Sequence, residues 1–302
     1  MPNPTSSSVD GDGVRVQAGV IGGSGLYEIE GIQDVQTVSV DTPFGAPSDD
    51  LVVGTLSGVR VAFLPRHGRG HRISPSELPS RANIWALKAL GATHVLSISA
   101  VGSLREELAA RDVVIPNQIL DRTKGVRPAS FFGDGLVVHI AFAEPYCPEL
   151  CDIVTRCARE TGATVHQGGT MVVMEGPQFS TKAESAFHRQ IGGDLIGMTA
   201  LPEAKLAREA EMCYCTVAMV TDYDCWHEEE DSVTAEMVVA NVRANVATAK
   251  AIVRAALPHI AAAPRRCACG TALDGAIMTD LAQVPERVLE QVGLLLGKRL
   301  EG

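Results

Sequence analysis

The feature that most constrains this chain is a series of short apolar runs, rich in Val and Ile, recurring along most of its length between turn signals and helical patterns. Runs of roughly four to eight such residues, bounded by Gly, Pro, Ser or Asp, read as strands buried on both faces. Their alternation with helical segments is the pattern of an α/β fold. The runs fall at 16–21, 51–55, 59–64, 94–100, 113–115, 170–174, 194–198 and 214–221. Ser57-Gly58 lies between the second and third, where a tight turn closes a hairpin.

Helical patterns fill several of the gaps. Pro79 stands at a first turn, Gly91 follows Leu90 as a stop, and Ala82, Trp85 and Ala89 share one face. Segments 181–190 and 202–212 have similar start signals, and Ala235, Val238, Val242, Val246, Ala249 and Val253 recur at helical spacing through 232–257, with Pro258 expected to end or bend that helix. The first 13 residues are Pro, Ser, Gly and Asp with almost nothing to bury, and read as a disordered leader. Residues 14–263 then form one α/β domain, and 264–302 a tail holding a terminal helix near 281–296.

Charge narrows the function. Lys plus Arg number 26 against 36 Asp plus Glu, a net charge of −10 that lacks the basic footprint nucleic-acid backbones require. No run approaches the length of a membrane span, and the N-terminus has neither the basic nor the apolar region of a signal peptide. The expectation is a soluble cytoplasmic protein without nucleic-acid or membrane partners. Eight cysteines are too few and too scattered for a disulfide framework, so most read as reduced core residues. Cys267-Ala-Cys269 sits in a polar segment where a local disulfide or half of a metal site is conceivable. Zinc wants four ligands, no second Cys pair lies nearby in sequence, and no metal is expected.

Residues suited to chemistry cluster where strands end. Ile21-Gly22-Gly23-Ser24-Gly25 runs from a strand into a glycine turn that reads either as an ordinary tight turn or as an anion cradle with Ser24 as a hydroxyl donor. A dinucleotide fingerprint fits badly, because Glu28 stands where its third glycine belongs. Arg66-His67-Gly68-Arg69-Gly70-His71 follows another strand and suits an oxyanion, or else is a solvated loop. Ser99 and Thr199 are placed like Ser24, so three hydroxyls with Arg66 and His67 could ring one phosphate without a metal. Thr221-Asp222-Tyr223-Asp224 puts two carboxylates two residues apart after an apolar run, on one side if the strand continues. It is either an acidic turn or a proton donor beside an acceptor for an amino group. The Glu228–Asp231 run reads as a solvated loop before the long helix.

Taken in order, these segments resemble the trimeric purine nucleoside phosphorylase superfamily, and within it the methylthioadenosine phosphorylase family. The likeness covers about residues 16–260 and rests on IGGSGLY from Ile21, DTPFGAPSD from Asp41, RHGRGH from Arg66, RANIWALK from Arg81, GSLREE from Gly102, EGPQFSTKAES from Glu175, MTALPEAKLAREAEMCY from Met198 and TDYDCW from Thr221. The resemblance implies a single-domain mixed β-sheet flanked by helices. It also implies attack of inorganic phosphate on the anomeric carbon of a 5′-substituted 5′-deoxyadenosine, releasing adenine, with no cofactor or metal.

By the same resemblance, Ser24, Arg66, His67, Ser99, Ala100 and Thr199 bind phosphate and Met198 lies at the ribose. Asp222 is implied at adenine N7 and Asp224 at the exocyclic amine, with Phe179 and Ser180 further lining the base site. Ala235, Val238 and Val239 would line the 5′ pocket, and His139 would reach it from a neighbouring subunit of a homotrimer. Ser24 and Ser99 stand where Thr is common in the family, and Ala200 where a second Thr is frequent. Ala235 and Val239 look small for the pocket, which leaves methylthio, hydrogen or halogen open as the 5′ substituent. Thermophilic relatives have a Cys-X-Cys disulfide in the tail, whereas a free pair is expected here. A 6-oxopurine phosphorylase and a nucleoside-binding protein without turnover are the competing classes.

Overall fold

The computed structural model describes residues 13–23, 26, 29–227 and 235–300, the side chains of 235–240, 242, 243 and 298 excepted. The leader other than Gly13, Ser24 and the acidic run after His227 therefore lie outside the described residues, as do the side chains of Ala235, Val238 and Val239.

Among the described residues eleven strands form one mixed sheet. Strand β1 (Ala18–Gly22) pairs in parallel with β4 (Val59–Pro65) and β5 (His94–Ser103). Strand β3 (Leu51–Leu56) joins β4 through the expected hairpin, whose turn residues Ser57 and Gly58 have φ of 51° and 77°. Positive φ at both positions matches the right-handed twist of the flanking strands. The edge is β2 (Gln33–Val38), antiparallel to β3.

Beyond β5 the sheet divides. Strand β10 (Leu195–Gly197) is antiparallel to the end of β5 and parallel to β9 (Thr170–Met174), which pairs with β7 (Gln118–Arg122). Strand β11 (Cys213–Asp222) runs parallel to β5, and its other edge takes β6 (Val113–Ile115), which pairs with β8 (Val165–Gln167). All ten residues of β11 are buried, as the continuous apolar run implied. On its edge away from β11, β5 pairs with β1 through Ser97 and with β10 only from Gly102, leaving residues 98–101 unpaired there. Such a division is a topological switch point, the place where an open α/β sheet offers a ligand room.

Among the described residues six helices flank the sheet: α1 (Ser80–Ala89), α2 (Pro148–Glu160), α3 (Lys182–Gln190), α4 (Ala200–Glu209), α5 (Ala235–Ala262) and α6 (Glu286–Leu296). Thr181 caps α3, its side chain accepting from Glu184 N while Glu184 reaches back to the Thr181 backbone N–H. Helix α5 continues past Pro258 to Ala262, so of the two expected outcomes, an end or a bend, Pro258 does not end it. The ring removes one intrahelical bond, a loss set against burial of Ala256, Leu257 and Ile260. Helix α2 packs on α5, and α1 on α4. Among the described residues no helix is long and apolar enough to cross a membrane. The segment after residue 263 packs onto the body through buried Cys269, Leu273, Val288, Val292, Leu295 and Leu296, and Ile277 bridges to Val138.

Candidate active site

The opening in the sheet gathers the residues expected to handle phosphate. Ser99, on β5, and Thr199, just before α4, bring their hydroxyl oxygens within 3.2 Å of each other. Ala100 is exposed at the same opening. Arg66 follows β4, and its backbone N–H donates to the carbonyl of Gly22 at the end of β1.

The Arg66 side chain turns inward. Its Nε donates to Glu203 Oε1 at 2.5 Å, Nη2 to Ser97 Oγ at 2.7 Å and to Glu203 Oε2 at 3.2 Å, and Nη1 to the Ile98 carbonyl at 2.9 Å. Glu203 Oε2 also accepts from the hydroxyls of Ser97 and Tyr214, both at 3.1 Å. Burial works against the guanidinium charge, but the Glu203 carboxylate more than offsets it and the pKa lies above its ordinary value. The fork read as reaching for an oxyanion is thus held largely by Glu203, which braces the Ile98 carbonyl beside Ser99.

His67 lies over this network with its Nδ1 2.8 Å from the Ile73 carbonyl and its ring stacked on His71 at 4.2 Å. Burial and the neighbouring Arg66 charge push its pKa down to about 4, so the ring is neutral at pH 7. With Nδ1–H donated to Ile73, Nε2 is left as an acceptor, suited to the hydroxyl of a hydrogen phosphate.

The two carboxylates come together by a route the strand period did not give. Strand β11 ends at Asp222 with a register shift after Val220, and such bulges re-aim side chains. Asp224 follows in a left-handed conformation, φ 53°, and its backbone N–H donates to Asp222 Oδ1 at 2.8 Å. This is a side-chain-closed turn rather than strand alternation. Thr221 Oγ1 lies 2.6 Å from Asp222 Oδ2 and 3.1 Å from the Val101 carbonyl. Asp224 Oδ2 is buried with no hydrogen-bond partner among the described residues. Gly102 pairs with Asp222 across the sheet, where an added Cβ would sit 3.0 Å from Asp222 Oδ1.

Of the residues expected at the base, Ser180 lies next to the acidic turn. Cys225 Sγ donates to the Ser180 carbonyl at 3.3 Å, and Ser180 Oγ lies 3.8 Å from Met174 Sδ. Phe179 is exposed. Trp226 Nε1 donates to the Ser103 carbonyl at 2.8 Å, anchoring the acidic turn to the end of β5. Met198 is held through its carbonyl, which accepts from Arg127 Nη1 at 2.5 Å. His139 is exposed, with its backbone N–H donating to the Ala276 carbonyl of the tail. Among the described residues no hydrogen bond joins its ring to the carboxylates or hydroxyls of this chain.

Two buried ion pairs were not legible as site residues. Arg127 donates to Glu175 Oε1 at 2.8 Å and to the carbonyls of Met198, Leu201 and Glu175, joining β9 to the start of α4. Arg66 likewise donates to Glu203, joining the end of β4 to α4. Each acid stands in an apolar or small-residue context, Glu203 among Leu201, Pro202, Ala204, Leu206 and Ala207. A lone carboxylate on such a face signals a distant cationic partner.

The fold with its divided sheet is that of a known family of phosphorylases. The model of the Phosphorylase superfamily matches residues 17–258, and the chain belongs to that family. Among individual relatives, the S-methyl-5′-thioadenosine phosphorylase of Geobacter sulfurreducens is 54% identical over 92% of this chain and 97% of the relative. That of Chloroflexus aurantiacus is 56% identical over 93% and 97%. A solved methylthioadenosine phosphorylase sourced from an antarctic soil metagenomic library superposes with a TM-score of 0.90 at 46% identity, covering 94% of this chain and 99% of that one. The Schistosoma mansoni methylthioadenosine phosphorylase in complex with adenine gives a TM-score of 0.80 at 38% identity, over 87% and 99%.

Proposed function

We propose that this chain catalyses phosphorolysis of 5′-deoxy-5′-methylthioadenosine: phosphate attacks the anomeric carbon and the products are adenine and 5-methylthioribose 1-phosphate. The observation that carries this reading is that the Asp222–Asp224 turn and the Ser99–Thr199 hydroxyl pair are both built on β5, the first beside Gly102 and the second at the opening in the sheet. The relatives named above support the substrate.

Breaking the glycosidic bond leaves positive charge on the sugar and negative charge on the purine. Phosphate held by Ser99, Thr199, His67, the Ala100 backbone and Ser24 stabilises the first, with Arg66 contributing its charge from beneath. Asp222 neutralises the second by giving a proton to N7. Thr221 supports that role: its one hydroxyl proton can serve either the Val101 carbonyl or Asp222 Oδ2. With the Thr221 hydroxyl at Oδ2 and the Asp224 N–H at Oδ1, the orientation of the Asp222 carboxyl group is fixed. The partnerless Asp224 Oδ2 accepts from the C6 amino group of adenine, and a 6-oxo purine would meet it acceptor to acceptor.

Phe179, Ser180 and Met198 line the nucleoside, and Ala235, Val238 and Val239 of α5 line the 5′ pocket. His139 completes that pocket from a neighbouring subunit of a homotrimer. Phosphate is a co-substrate and no cofactor takes part; the setting is the cytoplasm, in purine and methionine salvage. The test is the Asp222→Asn variant assayed for adenine release from methylthioadenosine. A fall in kcat/KM of about 10²-fold or more is expected, and near-normal turnover by a folded variant would overturn the assignment.

A further inference from the structure

Four cysteines distant in sequence meet at one point on the far side of β11 from the acidic turn. Cys147 immediately precedes α2, Cys213 is the first residue of β11, and Cys267 and Cys269 belong to the segment that follows α5. Their four Sγ atoms all lie within 4.8 Å of one another, and the Cys213 and Cys267 sulfurs are 3.3 Å apart. Cys147, Cys213 and Cys269 are buried and Cys267 half-buried, and all are free thiols. The missing second pair that argued against a metal at Cys267-Ala-Cys269 is therefore supplied by the fold.

We infer that Cys147, Cys213, Cys267 and Cys269 form a tetrahedral tetrathiolate site for a thiophilic divalent cation, of which zinc is the first candidate. Four sulfurs about 2.3 Å from one ion stand about 3.8 Å apart, within the span the cluster shows. The donor set is all sulfur, which selects zinc over the oxygen-seeking cations. Zinc binding displaces the four thiol protons and leaves a site of charge −2. Arg265 is placed to offset that charge, its Nε donating to Cys213 Sγ at 3.3 Å and its Nη2 to the Glu211 carbonyl.

The site has a structural purpose. It ties the N-terminus of α2 and the start of β11 to the segment that begins the tail. That tail goes on to pair Ile277 with Val138, and its Ala276 carbonyl accepts from the His139 backbone N–H. A metal here clamps the tail to the body and holds the loop bearing His139, away from the reacting groups. The inference does not depend on the proposed reaction.

The test is metal analysis of the full-length protein purified under reducing conditions from cells grown with zinc, by elemental analysis and native mass spectrometry. These are followed by cobalt(II) exchange. The expected result is about one zinc per chain, the intense visible bands of tetrahedral thiolate cobalt after exchange, and protection of four thiols from a thiol reagent. Cys267→Ser/Cys269→Ser should lose at least about nine-tenths of the zinc. Chelation of the wild-type metal should lower Tm by at least about 5 °C. Should the serine variant fail to fold, native mass spectrometry and the cobalt spectrum of the wild-type protein decide alone. Absence of zinc and of a cobalt spectrum, with the four sulfurs either reactive as thiols or oxidised to two disulfides, would overturn the site.

Discussion

Ser99 and Thr199 are one hundred residues apart in sequence, yet their hydroxyl oxygens lie 3.2 Å apart at the mouth of the opening left between β1 and β10. One comes from the middle of β5, a ten-residue interior strand, and the other from the turn into α4. The pair exists because β5 changes neighbours at that point. Ser99→Ala and Thr199→Ala should each raise the KM for phosphate about tenfold or more, since each removes a hydrogen bond to a charged group. The double variant should fall short of the summed effects, because the two hydroxyls touch. Steady-state kinetics with phosphate varied at saturating nucleoside checks this.

The close approach of Gly102 to Asp222 gives a second handle on the site. A Cβ at this position meets Asp222 Oδ1 and Ile196 Cγ2, each at 3.0 Å. Gly102→Ala should therefore displace the carboxylate, lowering kcat more than it changes the KM for phosphate, at a stability cost of about 1–3 kcal/mol. Paired kinetics and denaturant titration separate the two effects.

Beneath the phosphate residues, Arg66 and Glu203 are 2% and 1% exposed, so neither charge can be left without the other. Glu203→Gln should destabilise the fold by about 3–5 kcal/mol, the range for breaking a buried ion pair by removing one partner. It should also raise the KM for phosphate, because Arg66 holds the Ile98 carbonyl beside Ser99. Equilibrium unfolding of the variant checks the first effect, and a loss below about 1 kcal/mol would mean that the pair is not the brace described here.

The pH dependence of stability has a contributor outside the site. Burial raises Glu209 to about 7 from 4.5, although its carboxylate accepts from Phe131 N and Ser130 Oγ. The folded protein then binds more protons than the unfolded chain between those two values, so this group's contribution favours folding at low pH and is lost as pH rises toward 7. Relative to Glu209→Gln, the wild-type protein should lose on the order of 2 kcal/mol between pH 4.5 and pH 7.5. Unfolding free energies of both proteins across that range would show it, and parallel curves would contradict it.

How much of this was legible in the sequence follows from what each element buries. Strand β11 and the β3–β4 hairpin are fully or mostly buried, so their apolar runs and the Ser57-Gly58 turn announced them. Strands β2 and β7 bury one residue and none respectively, with sequences QDVQTV and QILDR, and they carry no such run. Helix α2 was not anticipated although its signals were present: Pro148 in the first turn and Leu150, Val154, Cys157 and Ala158 on its buried face. In the site, glycine turns at strand ends pointed to Arg66, Ser99 and Thr199 by position. The partners of Arg66 and the fourfold meeting of cysteines were not legible, because they depend on contacts between segments 31 to 137 residues apart. The sequence left Asp222 and Asp224 open as an acidic turn or a donor beside an acceptor, and their geometry depends on the bulge at Val220 and the left-handed Asp224.

The most direct test of the account is release of adenine from methylthioadenosine by the purified protein, with and without inorganic phosphate. The account predicts that adenine appears only with phosphate, in equal amount to 5-methylthioribose 1-phosphate. Adenine released at the same rate without phosphate would mean that water is the nucleophile, and would contradict the role given to Ser99, Thr199 and His67.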